Sequence, residues 1–241
     1  MPVFQIFLTR LVIVLAAAAM ASGCGTFKGW FGKKKSEKPP EVMAQEGIQQ
    51  LRKKKYLDAA ETFETLRDRY PYSQEALLAQ IKLADAYFYK KNYPEALQAY
   101  KDFEKLHPTN PAVPYCIYQQ GLCYYRQRST IDRDQTFTSQ AMGEFQRLKQ
   151  KFPDSEYAGK ADKYIARCRK DLAEHEFYVG EYYYRTKHYP SALERFQILA
   201  SEYQEFKPNE VKGYIEKCQT RIANPEKSKG NFITNLFDAK W

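Results

Sequence analysis

The chain of 241 residues is poor in the residues from which metal sites and nucleophilic centres are usually built. Its three histidines, His107, His175 and His188, stand apart with no ligand spacing, and there is no CxxC, no HExxH and no glycine-rich phosphate loop. No carboxylate pair and no nucleophile–base set stands out from the pattern, so no enzyme, metal or cofactor is expected. Alternating apolar and polar runs are almost absent, which argues against strands. After residue 24 no apolar run approaches the ~20 residues needed to cross a bilayer.

Cysteine is scarce too, at five residues. Cys116 and Cys123 lie two helical turns apart, roughly 10 Å along an axis, so within one straight helix they exceed the ~7 Å Cα limit of a disulfide. Cys168 and Cys218 fall on different expected helices. They can pair in an oxidising compartment or stand as buried free thiols, and free thiols are the preferred reading for all four.

The fifth, Cys24, belongs to the N-terminus. Residues 1–23 hold one charge, Arg10, then the apolar run Leu11 to Met20 and the small residues Ala21, Ser22 and Gly23. Ten residues are too few to span a bilayer, and the pattern reads as a signal peptide cut before a lipidated Cys24, with palmitate-type acyl chains as the anchor. Ala21 stands where such signals usually have Leu, which leaves an ordinary secretory cut as the other reading. Residues 24–40, with Lys33, Lys34, Lys35, Lys38 and Pro39-Pro40, form a basic tether that lies on anionic headgroups or runs as a solvated linker.

Lysine and arginine number 38 against 29 acids, a formal net charge of +9. A basic balance raises nucleic acid as a partner. Export and the dispersal of lysines among acids argue against it, in favour of acidic partners or membrane.

The body, residues 41–223, reads as helices punctuated by turns. Tyr56, Ala59, Phe63 and Pro71 recur as Tyr93, Ala96, Tyr100 and Pro108, each 37 residues on. A third copy has Gly121, Tyr124, Ala141, Phe145, Leu148 and Phe152-Pro153, its helices parted by the longer segment 127–138. A fourth has Gly180, Tyr183, Tyr189-Pro190, Ala192, Phe196 and Leu199, with Gln204 in place of the proline. Small residues such as Ala84, Gly121 and Gly180 let antiparallel helices approach, and bulky partners fill the next turn. The pattern resembles the tetratricopeptide repeat (TPR), so the expected fold is an all-α superhelical solenoid of about four repeats and a capping helix over 209–222. Between Ser155 and Lys187 one unusually long helix is expected. Residues 224–241 form a C-terminal tail carrying Phe232, Ile233, Leu236, Phe237 and Trp241, either a docking segment or a frayed end.

In such a solenoid the groove is lined by helix A positions facing away from helix B. Here these are Arg52, then Asp85, Phe88 and Tyr89, then Tyr115, Tyr118, Leu122, Tyr125 and Arg126. Tyrosine offers a flat apolar face, a hydroxyl and little rotamer entropy to lose, which suits peptide recognition; packing is the competing account of the same residues. Twenty tyrosines exceed what four units need for packing, and that favours binding.

The polar insert Ile131-Asp132-Arg133-Asp134-Gln135-Thr136 reads by itself as a solvated loop whose Asp or Thr caps the next helix. Together with Ala141, Phe145, Leu148, Phe152-Pro153-Asp154-Ser155 and Val179-Gly180-Glu181-Tyr182-Tyr183, it resembles the YfiO/ComL (BamD) family of the outer membrane β-barrel assembly complex. The resemblance covers nearly all of residues 24–205. It implies a scaffold lipid-anchored to the periplasmic face of the outer membrane. It also implies that the N-terminal repeats, on the Tyr89, Tyr118 and Tyr125 side, receive C-terminal signals of unfolded outer membrane proteins. The C-terminal repeats would hold a BamA-like β-barrel protein through its POTRA domains, with Arg195 and the Arg133-Asp134-Gln135-Thr136 loop as contacts, and other lipoproteins of the complex would join. The family usually has a fifth helical pair, whereas here a single helix precedes the tail. From another class, a periplasmic TPR lipoprotein coordinating cell-wall or division machinery is the alternative.

Overall fold

The computed structural model describes residues 38–224, and among these every regular element is an α-helix. Four antiparallel pairs follow one another. The first three are α1 (Pro40–Arg52) with α2 (Tyr56–Arg69), α3 (Gln74–Tyr89) with α4 (Tyr93–Leu106), and α5 (Val113–Gln127) with α6 (Thr136–Lys151). The 30-residue α7 (Glu156–Arg185) then pairs with α8 (Tyr189–Glu202), and α9 (Pro208–Ala223) closes the stack. The long helix expected between Ser155 and Lys187 is therefore present, with Ser155 capping it by accepting from the Tyr157 amide at 3.2 Å. Ser73 caps α3 in the same way, on the Ala76 amide at 3.1 Å. Prolines open α4, α5, α8 and α9, where the missing N–H leaves nothing unsatisfied.

The core repeats with the sequence. In three units a helix A glycine faces a fully buried helix B phenylalanine: Gly47 with Phe63, Gly121 with Phe145, and Gly180 with Phe196. A Cβ on these glycines would sit 2.6, 2.6 and 2.9 Å from the nearest ring atom. In the second unit Ala84 stands at the glycine position and Tyr100 at the phenylalanine's. Gly47 escaped the sequence reading because its helix lacks the accompanying tyrosine, although 47, 84 and 121 are spaced by the same 37 residues.

Helix α7 serves two cores. Its first half contributes Ala161 and Cys168 to the cluster around Phe103, Phe145 and Leu148, and its second half contributes Ala173 and Phe177 to the cluster around Phe196, Leu199 and Cys218. At ~1.5 Å per residue it is a spine of about 45 Å, and it ties the third unit to the fourth.

The A-to-B turns of units 1, 2 and 4 close on lysine in the left-handed region: Lys54, Lys91 and Lys187, with φ of 59°, 65° and 65°. That conformation costs an L-residue about 1–2 kcal/mol, while glycine gives back about 0.5–1 kcal/mol through its unfolded-state entropy. Lys91→Gly is therefore expected to stabilise by about 0.5 kcal/mol. A thermal midpoint that falls instead would mean that the lysine stem contributes more than its backbone strain removes.

Candidate functional site

Where units 1 to 3 meet, a cleft of about 380 Å³ is lined by Ile48, Leu51 and Arg52 of α1, Lys54 and Tyr56 of the first turn, Lys82, Asp85 and Tyr89 of α3, and Tyr115 of α5. Four of the expected groove residues, Arg52, Asp85, Tyr89 and Tyr115, thus converge. The rings of Tyr56 and Tyr89 stack at 5.6 Å with 23° between their planes, and Tyr89 is half exposed. Ile48 and Leu51 supply an apolar wall.

Asp85 organises this wall from beneath. It is 3% exposed, yet its carboxylate is fully engaged: Tyr100 and Tyr115 each donate a hydroxyl to Oδ1 at 2.6 Å, and Lys82 donates Nζ to Oδ2 at 2.7 Å. Gln119 in turn donates to the Tyr115 hydroxyl at 2.7 Å. This explains why the second unit has tyrosine where the other three have phenylalanine: only a hydroxyl at position 100 reaches the buried carboxylate. Burial, reinforced by the Asp85 charge, pushes the hydroxyls of Tyr100 and Tyr115 well above the ordinary tyrosine range. Asp85 spends its charge on Lys82, whereas Arg52 and Lys54 form no ion pair among the described residues. The cleft therefore keeps a positive balance.

The remaining groove candidates are distributed differently. Phe88 packs edge-on against Tyr89 and Tyr93 at 5.8 and 5.5 Å, toward the turn rather than into the cleft. Leu122 and Tyr125 are buried and belong to the core. The expectation of an open tyrosine stripe through the third unit is corrected here, because the first half of α7 lies across it. Tyr164 meets Tyr125 at 4.9 Å and Tyr118 at 6.0 Å, and Tyr157 meets Tyr118 at 5.6 Å. Arg128 covers the other side of Tyr125, 3.8 Å from its ring centre. Arg126 is exposed and outside the cleft.

The insert between α5 and α6 is braced rather than free. Gln135 is buried and donates to the carbonyls of Thr130 and Arg133, both at 2.9 Å, while accepting from Thr138. Asp134 accepts from the Thr136 amide and hydroxyl at 3.0 Å, a turn just ahead of α6. The N-cap position itself is Gln135, whose side chain makes no capping bond, so neither the Asp nor the Thr expected as the cap fills that role. Outside contacts dock the loop on α7: Arg128 pairs with Asp171 at 3.2 Å, and His175 Nδ1 lies 2.6 Å from the Ile131 carbonyl oxygen. Arg133, Asp134 and Thr136 stay exposed. In the fourth unit Arg195 is held by Glu176 of α7 at 3.1 Å and remains partly exposed.

Cys24 and the tail aromatics lie outside the described residues. Cys116, Cys123, Cys168 and Cys218 are buried and unpaired. Burial pushes the thiols of Cys116 and Cys123 up to about 12 and that of Cys168 to about 11. All four are expected to resist a thiol reagent at pH 8 until the protein unfolds; rapid labelling of any one in the native state would contradict this packing. Among the described residues no three His, Cys, Asp or Glu side chains gather as a metal site, and no helix is long and apolar enough to cross a membrane.

Comparison with known proteins places this architecture. Residues 36–220 match the profile of the YfiO family, described as an outer membrane lipoprotein. Outer membrane protein assembly factor BamD of Rickettsia prowazekii is 30% identical over 200 residues, covering 82% of this chain and 78% of that one. The protein of the same name from Caulobacter vibrioides is 28% identical over 209 residues, covering 83% and 67%, and that from Neisseria meningitidis serogroup A is 27% identical over 197 residues, covering 77% and 74%. A solved tetratricopeptide repeat protein from Parabacteroides merdae covers 83% of this chain and 68% of its own, at 14% identity and a TM-score of 0.39.

Proposed function

Because the chain belongs to the YfiO family of outer membrane lipoproteins, we propose that it is a non-catalytic assembly factor for outer membrane β-barrel proteins. Cys24 carries its lipid anchor, and the solenoid faces the periplasm. The cleft where units 1 to 3 meet receives the C-terminal segments of unfolded barrel proteins. One observation carries that assignment: the Tyr56–Tyr89 stack lies beside Arg52 and Lys54, two cations without an ion-pair partner among the described residues. A terminal aromatic ring fits the stacked tyrosines, and the terminal carboxylate fits the cations. The fourth unit, through Arg195, and the exposed Arg133, Asp134 and Thr136 of the braced loop meet the POTRA domains of a BamA-like partner and the accessory lipoproteins.

Arg52→Glu is expected to weaken binding of a peptide ending in phenylalanine about tenfold, a difference of ~1.4 kcal/mol. Amidating the peptide's C-terminus removes that difference, because the variant then opposes no carboxylate. Equal affinity of variant and unmodified chain for the free-acid peptide would remove the cleft from recognition. For the partner, envelope pull-down should recover a large POTRA-bearing barrel protein, and Arg195→Glu should reduce its yield. Recovery of cell-wall hydrolases alone would point to the cell-wall reading instead.

A further inference from the structure

The two edges of the solenoid differ in charge. Consecutive helices are antiparallel, so every A-to-B turn points one way and every B-to-A turn the other. The A-to-B segments, residues 49–59, 86–96, 123–139 and 182–192, hold 11 lysines and arginines against 4 acids. The B-to-A segments, residues 64–78, 101–116, 147–160 and 199–212, hold 10 of each sign. Helix dipoles do not account for this, since both edges contain helix C-termini and attract cations equally. Pairing separates them further. On the B-to-A edge six of the ten cations are ion-paired, as in Arg67 with Asp68, Arg147 with Glu104, Lys160 with Glu156 and Lys207 with Glu210, against two of the 11 on the A-to-B edge, Lys55 and Arg128. On the A-to-B edge of the first two units Lys53, Lys54, Lys90 and Lys91 are exposed and form no ion pair with any described residue.

Left-handed lysines close three of the four A-to-B turns, at Lys54, Lys91 and Lys187, against one on the opposite edge, Lys207. Lys54 and Lys91 hold left-handed φ values that glycine adopts without penalty. A lysine kept at a strained position in two successive turns costs stability each time, and an observed outlier of this kind is a reason to look for function. Two residues after each comes a tyrosine, Tyr56 and Tyr93, both half-buried at the start of helix B. Leu57 and Tyr89 stand exposed on the same edge.

We propose that this edge of units 1 and 2 rests on an anionic membrane surface, with Lys53, Lys54, Lys90 and Lys91 among the phospholipid headgroups and the neighbouring tyrosines at their level. The occupant follows from the arrangement. Binding a small anion needs cations gathered at one point, whereas these four are divided between the turns of two successive units. A row of unpaired cations alternating with amphipathic rings matches an extended sheet of negative charge, to which lysines and tyrosines contribute in the way interfacial residues do. The proposal rests on the outer-membrane reading for its biological surface; because Lys54 also lines the peptide cleft, its test includes K53E/K90E/K91E, which leaves the cleft residues in place.

Flotation of the full chain with phosphatidylcholine vesicles, and with vesicles containing 30% phosphatidylglycerol, reads the effect; the difference between the two cancels the apolar N-terminus, and the basic tether, common to every variant, cancels when variants are compared with the unmodified chain. The unmodified chain is expected to partition at least tenfold more strongly to the anionic vesicles and to lose that preference in high salt. K53E/K54E/K90E/K91E should lose at least tenfold, K53E/K90E/K91E, which spares the cleft residue Lys54, at least fivefold, and K105E/K149E on the opposite edge less than twofold. K54G/K91G removes two charges while relieving two strained turns, so its weaker flotation accompanied by a higher thermal midpoint excludes unfolding as the cause. If K54G/K91G and the fourfold reversal both float like the unmodified chain, the edge is not a lipid surface and the proposal fails. Should the two edges respond equally, net charge alone is responsible, and the proposal fails as well. Peptide binding to the cleft, measured on K53E/K90E/K91E, and the mass of the mature N-terminus remain independent measures of the assembly reading.

Discussion

Replacing Asp85 with alanine is expected to destabilise the solenoid by about 3–5 kcal/mol, the range for removing one partner of a buried charge network. Three donors lose their acceptor at once: the Tyr100 and Tyr115 hydroxyls and the Lys82 ammonium. Tyr100 is fully buried, so water cannot replace the lost bond without opening the core. For a domain of this size each kcal/mol moves the thermal midpoint by roughly 2–4 °C, which puts the expected fall near 10 °C. Asp85→Asn keeps an acceptor oxygen but turns an amide toward Lys82, so its cost should be intermediate. A fall of less than about 2 °C for the alanine variant would show that the tyrosines find other partners.

The same network makes a signed prediction for alkaline pH. Burial, then the Asp85 charge, raises the pKa of Tyr100 and Tyr115 in the folded state. A raised folded pKa means that the unfolded chain gives up its proton first. The stabilisation is complete below about pH 10, the ordinary tyrosine value, and is lost as pH climbs from there toward the folded values. Denaturant midpoints measured across that window should fall steeply for the unmodified protein. They should fall less steeply for Asp85→Asn, which lacks the negative charge.

These residues also mark where the sequence was informative and where it was not. Spacing of 37 residues, the small helix A positions and the absence of proline between Ser155 and Lys187 were enough to predict the helical pairs and the long α7, because those features follow from local periodicity. The same periodicity assigns Asp85, Tyr89 and Tyr115 to a groove, and the three line one cleft. What periodicity does not carry is coverage by a distant element. Leu122 and Tyr125 occupy groove positions of their own helix, yet Tyr164, some 40 residues on, closes over Tyr125, since the first half of α7 acts as an additional helix A belonging to no counted repeat. Nor does a lysine announce a left-handed backbone: Lys54 and Lys91 occupy turns where glycine or asparagine is the usual signal.

Among the helix A glycines, Gly121→Val should be the most damaging substitution, at about 3 kcal/mol or more once overpacking and a β-branched helix residue are combined. The added Cβ alone would stand 2.6 Å from the Phe145 ring, which is fully buried and hemmed in by Tyr118 at 5.8 Å and Tyr164 at 5.1 Å. The ring therefore has no free direction in which to retreat. Gly143 and Gly159 provide the control, because a Cβ there meets nothing within 4 Å. Alanine at either should stabilise by about 0.5–1 kcal/mol, the ordinary helix-propensity gain over glycine. Opposite signs for Gly121→Ala and Gly159→Ala, chemically identical changes in helices of one stack, would isolate the contribution of the glycine notch. The mechanism also predicts coupling. Phe145→Ala by itself should cost about 3–5 kcal/mol through its cavity, but in the Gly121→Val background the valine grows into the vacated space. The double variant should then be more stable than the sum of the two losses by about 1 kcal/mol or more. Strict additivity in urea or thermal unfolding would show that the glycine serves the close approach of the backbones rather than the seat of the ring.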